Sequence, residues 1–85
     1  MNQSVIFTDG LVFNKEQNTI EFTAQNMGIN IPCYLSLAQL NTLANEDVHE
    51  DNVFEVAESL RFDIEEHFEE KIDAEELDEN GAIYF

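Results

Sequence analysis

Apolar and polar positions change their rhythm once along the chain, near Asn45. Before that point the repeat is short. Val5, Ile6 and Phe7 lead into Asp9-Gly10, and Leu11, Val12 and Phe13 follow. Asp-Gly between short apolar runs predicts a hairpin, because a type I′ turn holds both central residues at positive φ. Residues 14–18 are polar and predict a turn. Ile20, Phe22 and Ala24 then alternate with Thr19, Glu21 and Thr23, the period of a half-buried strand. Asn26-Met27-Gly28 interrupts, and a second alternation runs through Ile29, Ile31, Cys33 and Leu35. Pro32 falls on its outward set and, lacking an N–H, predicts an edge or a bulge there. Strands with polar alternate positions suit an antiparallel sheet with one wet face.

Past Leu35 the period lengthens. Ser36 with Gln39 three residues on forms a capping box, followed by a stripe of Leu37, Leu40 and Leu43. Residues 45–51 are a polar, acidic connection. Asn52 and Glu55 repeat the capping pattern ahead of a long helix whose apolar stripe is Val53, Val56, Ala57, Leu60, Ile64 and Phe68. The stripe drifts after Ile72, so the helix ends or bends between Ile72 and Asp78. Asn80-Gly81 supplies a stop and residues 82–85 a last strand, returning to the sheet. The order β-β-β-β-α-α-β predicts an α+β fold: an antiparallel sheet of four to five strands with a short and a long helix on one face. Eighty-five residues allow one domain, 1–85.

Charge narrows the function. Nineteen acids against three bases leave a formal net charge of -16. Residues 1–45 hold Asp9, Glu16 and Glu21 against Lys15; every other acid lies beyond, facing only Arg61 and Lys71. Direct nucleic-acid binding and anionic-membrane binding both rely on Lys/Arg clusters, so neither is expected. Hydrophobic content of 44% with seven Phe argues against wholesale disorder. The longest apolar run, 82–85, cannot span a membrane, and the opening residues do not read as a signal peptide. A single cysteine, Cys33, forms no internal disulfide, which points to a reducing cytoplasm.

Several segments resemble a small proteobacterial family, the YrdB-like proteins, which carry only a domain-of-unknown-function label (1488). They are Met1-Asn2-Gln3 with Ile6-Phe7, the Ile20-x-Phe22 strand, Ile31-x-Cys33-x-Leu35-Ser36 and Gly81-x-Ile83-x-Phe85. The most specific is Arg61-Phe62-Asp63-Ile64-Glu65-Glu66, similar to an Arg-aromatic-Asp-aliphatic-Glu-Glu helix motif. Phe13 departs from the Trp of some members. The resemblance implies a small α+β domain of bacterial cytosol and brings no activity.

The outer face of the long helix carries the candidate interaction surface: Glu55, Glu58, Phe62, Glu65, Glu66 and Glu69. On a continuous helix the five carboxylates form a ridge about 21 Å long. Like charges at these spacings are each unfavourable by about 0.2–0.5 kcal/mol, and Arg61 offsets only part. One reading is a docking ridge for a basic protein with Phe62 as its anchor; the other is a solvated face that keeps the protein soluble. Nucleic-acid mimicry, carboxylates standing where phosphates would, is the alternative from another class.

Metal signals are weak. Asp63, His67 and Glu70 share a flank, but Ile64 stands where a Glu-x-x-His pair needs its Glu. Asp47, His49 and Asp51 alternate like a calcium loop, yet Asn52 replaces the turn glycine. Glu76-x-Asp78-x-Asn80-Gly81 reads as a helix-ending turn, without the twelfth-position Glu of such a loop. No metal site or cofactor is expected, and a weak divalent-metal binder is the second alternative reading of the function. Cys33 lies on the inward face without a cation to activate it, and no glycine-rich phosphate loop exists, so an enzyme is not expected, and one built around Cys33 or His67 is the last of the alternatives. A homodimer through an exposed strand edge stays open.

Overall fold

The computed structural model describes residues 5–85; the Met1-Asn2-Gln3 match lies outside them. Strands β1 (Val5–Phe7), β2 (Val12–Asn14), β3 (Thr19–Asn26) and β4 (Ile29–Ser36) precede helices α1 (Leu37–Ala44), α2 (Val53–Ser59) and α3 (Arg61–Asp73), and β5 (Ile83–Tyr84) closes the order. The fold is α+β, as the periodicity predicts.

β3 and β4 are the long strands, paired antiparallel from Thr19↔Ser36 to Asn26↔Ile29. Their two-residue connection holds Met27 at φ 56° and Gly28 at φ 82°. Both central residues are left-handed, so the I′-like hairpin expected at Asp9-Gly10 is found here instead. β1 and β2 do not pair with each other. Both run antiparallel along the same side of β3, Phe7 opposite Ala24 and Val12 opposite Glu21. Four residues, 8–11, face only Phe22 and Thr23, so one edge strand is broken by a two-residue bulge. β5 lies on the far side, pairing parallel with β4 at Cys33↔Ile83 and Tyr34↔Tyr84, which makes the sheet mixed rather than purely antiparallel.

The Pro32 expectation is half met. β4 is an inner strand at Cys33 and Tyr34, where β5 reaches it. Thr23, opposite Pro32, gives its carbonyl to the Thr8 amide on the β1 side. The Pro32 nitrogen therefore points to the other side, just before β5 begins, where no ladder bond is lost.

All three helices cover one face. Ile20, Phe22, Ala24, Ile31, Cys33, Leu35 and Ile83 from the sheet form one buried cluster with Leu40, Val53, Val56, Ala57, Ile64, Phe68 and Ile72. Phe68 is its hub, with Phe22 at 5.5 Å and Phe85 edge-on at 5.7 Å between ring centroids. Ile29, expected inward, is exposed at the hairpin tip, where it lines an open depression with Ile72 and Leu77.

The long helix is two helices. At Leu60 the backbone turns to φ -107°, ψ 12°. The Ser59 hydroxyl donates to the Val56 carbonyl at 2.7 Å, the same oxygen that the Leu60 amide uses at 3.2 Å. A side chain competing for a helix carbonyl bends the helix. The Ser36–Gln39 capping box is present, and Gln39 also donates to the Phe85 carbonyl. The Asn52 box is not: Asn52 Oδ1 accepts from the His49 amide at 2.7 Å and closes the preceding turn. α3 ends at Asp73 with Ala74 as its cap, inside the expected interval from Ile72 to Asp78, and the stop is built at Glu75 rather than at Asn80-Gly81. Glu75 is left-handed (φ 59°), its amide donating to the Ile72 carbonyl while that of Glu76 reaches Lys71. That is a Schellman stop, with glutamate in the position glycine favours.

Candidate interaction surface

Arg61 opens α3 and organises this side of the molecule. Its guanidinium forms ion pairs with Glu65, one turn on, and with Glu58 at 3.1 Å. It also donates to the backbone carbonyls of Thr8 and, at 2.9 Å, of Asp9. Those carbonyls belong to the bulge between β1 and β2, so one side chain ties the helix to the edge strand. The guanidinium also stands over the Phe22 ring, 5.9 Å from its centroid.

The break at Leu60 divides the expected ridge. Phe62, Glu65, Glu66 and Glu69 line a groove of about 270 Å³ together with Val5 and Phe7 of β1. Glu58 joins them only through Arg61. Glu55 lies apart, lining a different depression with Glu46, Asn52, Val56 and Ser59. Across the break Glu58 and Glu65 meet on the same guanidinium. Phe62 is 80% exposed at the rim of the groove, while Phe68, six residues further along, is fully buried. Among the described residues, neither Glu66 nor Glu69 has a cationic partner.

The family model described as "Protein of unknown function (DUF1488)" matches residues 5–85. The chain belongs to this family. A crystal structure of a DUF1488 protein of unknown function from Shewanella loihica PV-4 is 40% identical, with a TM-score of 0.92, covering 100% of this chain and 94% of that one. No curated protein matches the chain. Both findings agree with the label that the motif resemblance carried, though neither bears the YrdB-like name. In this DUF1488 chain the resemblance motif has a visible division of labour. Arg61 and Glu65 form the tie, Ile64 enters the core, and Phe62, Asp63 and Glu66 face outward.

The remaining candidates fall elsewhere. Cys33 is fully buried, its thiol donating to the Ile31 carbonyl, and burial pushes its pKa up to about 12. His67 stacks on the Phe85 ring at 4.1 Å between centroids, rather than converging with Asp63 and Glu70. Among the described residues no three His, Cys, Asp or Glu side chains gather as a metal site would require. His49 lies in the turn that Asn52 closes. The Asp78 carboxylate accepts from the Ala82 and Asn80 amides, which hold it below the usual carboxylate range. No helix among the described residues is long and apolar enough to cross a membrane.

Periodicity did not reveal two features. The first is the participation of Val5, Phe7, Thr8 and Asp9, which the bulge brings to α3. The available signal was Arg61 itself, the single arginine of an acidic chain. The second is a concavity of about 630 Å³ on the uncovered face of the sheet, lined by residues that include Glu21, Tyr34, Ser36 and Tyr84. There the Tyr34 and Tyr84 rings lie 5.3 Å apart, brought together by the parallel β4–β5 pairing.

Proposed function

We propose that this protein is a non-enzymatic binding module that docks a basic protein surface through the outer side of α3. The supporting observation is Phe62, a large ring 80% exposed beside the Glu66 and Glu69 carboxylates. An apolar ring within a charged surface loses contact with water only when something covers it, so it is a natural anchor. The carboxylates select the partner's sign. A binding role rather than catalysis fits the buried, protonated Cys33 and the engagement of His67 with Phe85. Nucleic-acid mimicry is the alternative reading, and the apolar ring beside the carboxylates of the groove favours docking over it. The proposed setting is the cytoplasm.

Affinity capture from the native host tests this reading, using the wild-type chain beside a Phe62→Ala, Glu66→Lys, Glu69→Lys variant. Basic proteins held by the first and lost from the second are expected. Equal capture by both overturns the proposal. Phe62→Ala alone should leave stability within about 0.5 kcal/mol, as for other exposed positions, so loss of capture would not reflect unfolding.

A further inference from the structure

We infer that the outer edge of β1 accepts an extended segment of a basic partner, which adds to the sheet as a strand and lays alternate side chains into the groove against α3. This rests on the docking reading above and names the conformation of what docks. β1 is the outermost described strand on its side of the sheet. Thr8 donates its amide to the Thr23 carbonyl at 3.0 Å, so Thr8 faces β3. Backbone direction alternates along an antiparallel strand, so Ile6 also faces β3, while Val5 and Phe7 turn their N–H and C=O groups outward.

Natural edges are blunted by charges, prolines or bulges. Val5-Ile6-Phe7 has neither charge nor proline. The bulge comes only afterwards, at residues 8–11, where Arg61 occupies the Thr8 and Asp9 carbonyls and stops further pairing. The accepting edge is thus short and has a defined end. Below it, the Val5 and Phe7 side chains pack partly on the core and form one wall of the groove, opposite Phe62, Glu66 and Glu69.

The charge of the groove chooses the occupant. A second copy pairing edge to edge would bring its own α3 carboxylates against these, with a net charge of -16 on each chain. An extended segment with Lys or Arg at alternate positions meets the opposite situation. Its aliphatic stems lie on Phe62 and its cationic ends reach Glu66 and Glu69.

The test uses three synthetic peptides of one alternating Lys-Val sequence: unmodified, N-methylated on the amides that face β1, and N-methylated on the amides that face away. Titration followed by NMR should show the unmodified peptide binding and slowing Val5 and Phe7 amide exchange about tenfold or more. Methylation of the facing amides should weaken binding about tenfold, the equivalent of about 1.4 kcal/mol, and methylation of the other set should not. Equal binding by all three peptides leaves the docking reading standing and overturns strand addition. No binding by any of them overturns both. Val5 and Phe7 amides already protected in a concentration-dependent dimer, without peptide, would give the edge to a second copy and overturn the inference.

Discussion

Arg61 Nη1 donates to the Asp9 carbonyl at 2.9 Å across 52 residues of chain. A cation is unfavourably placed at the first turn of a helix, where the macrodipole is positive. Its position is explained by what it reaches: two bulge carbonyls that the sheet ladder leaves without partners, and the Glu58 and Glu65 carboxylates that hold the fork in place. The guanidinium is mostly covered, its side chain 18% exposed.

Arg61→Ala should therefore destabilise the protein by about 2–3 kcal/mol, the range for hydrogen bonds to a charged group whose partners are left behind. Arg61→Lys should recover less than half, since an ammonium cannot fork to several acceptors in a plane. Urea unfolding measures both. A loss below about 0.5 kcal/mol for the alanine variant would show that the tie is dispensable.

Glu75 stops α3 in a left-handed conformation that an L side chain adopts at a cost of about 1–2 kcal/mol. Glu75→Gly removes that strain and gains flexibility in the unfolded chain, for a net stabilisation of about 0.5–1 kcal/mol. Thermal melts should place the variant a few degrees above the wild type. A lower melting temperature would contradict the Schellman assignment.

Cys33 should resist thiol reagents at pH 8 until the protein unfolds, because the group is buried and protonated. Its pKa is raised from 9.0 to about 12 in the fold. The unfolded chain thus releases this proton first. The stabilising contribution is complete below pH 9 and is lost as pH rises from 9 toward 12, by up to about 1.4 kcal/mol per pH unit. Cys33→Ala should flatten that alkaline slope while lowering stability at pH 7. An unchanged slope would remove Cys33 as its source.

All three cationic side chains are engaged: Lys15 with Glu50, Arg61 with Glu58 and Glu65, and Lys71 with the Tyr84 carbonyl. Most carboxylates are left to repel one another, so about 0.5 M sodium chloride should raise the melting temperature relative to low salt. A flat or falling response would mean that local pairing outweighs the net charge.

Periodicity made the β3 and β4 strands and the α3 stripe legible, because each buries one face and repeats at its own period; of the expected α1 stripe Leu40 is buried, Leu37 half-buried and Leu43 exposed. Val48 escaped that reading. A lone apolar residue in an acidic connection has no period, yet it is buried, its amide held by Asn41 Oδ1 at 2.9 Å. The Asp9-Gly10 hairpin failed for a related reason. Turn chemistry states that the chain can bend sharply, while pairing depends on which long strand is available, and β3 offered both short strands the same side. The exposed position of Phe62 was legible from the helical wheel; its neighbours Val5 and Phe7 were not.

The sequence by itself determined the α+β class, the inward faces of the long strands, the Ser36 cap and the excess of negative charge. Those properties reside in neighbouring residues and in counts. Tertiary packing alone decided that β1 and β2 share one edge, that β5 runs parallel to β4, and that the second helix breaks at Leu60. It also decided that Arg61 reaches back to Thr8 and Asp9. Apart from the break, which turns on the neighbouring Ser59 and Val56, each of these joins groups far apart in the chain, whose backbone donors and acceptors find partners only once the sheet and helices have come together.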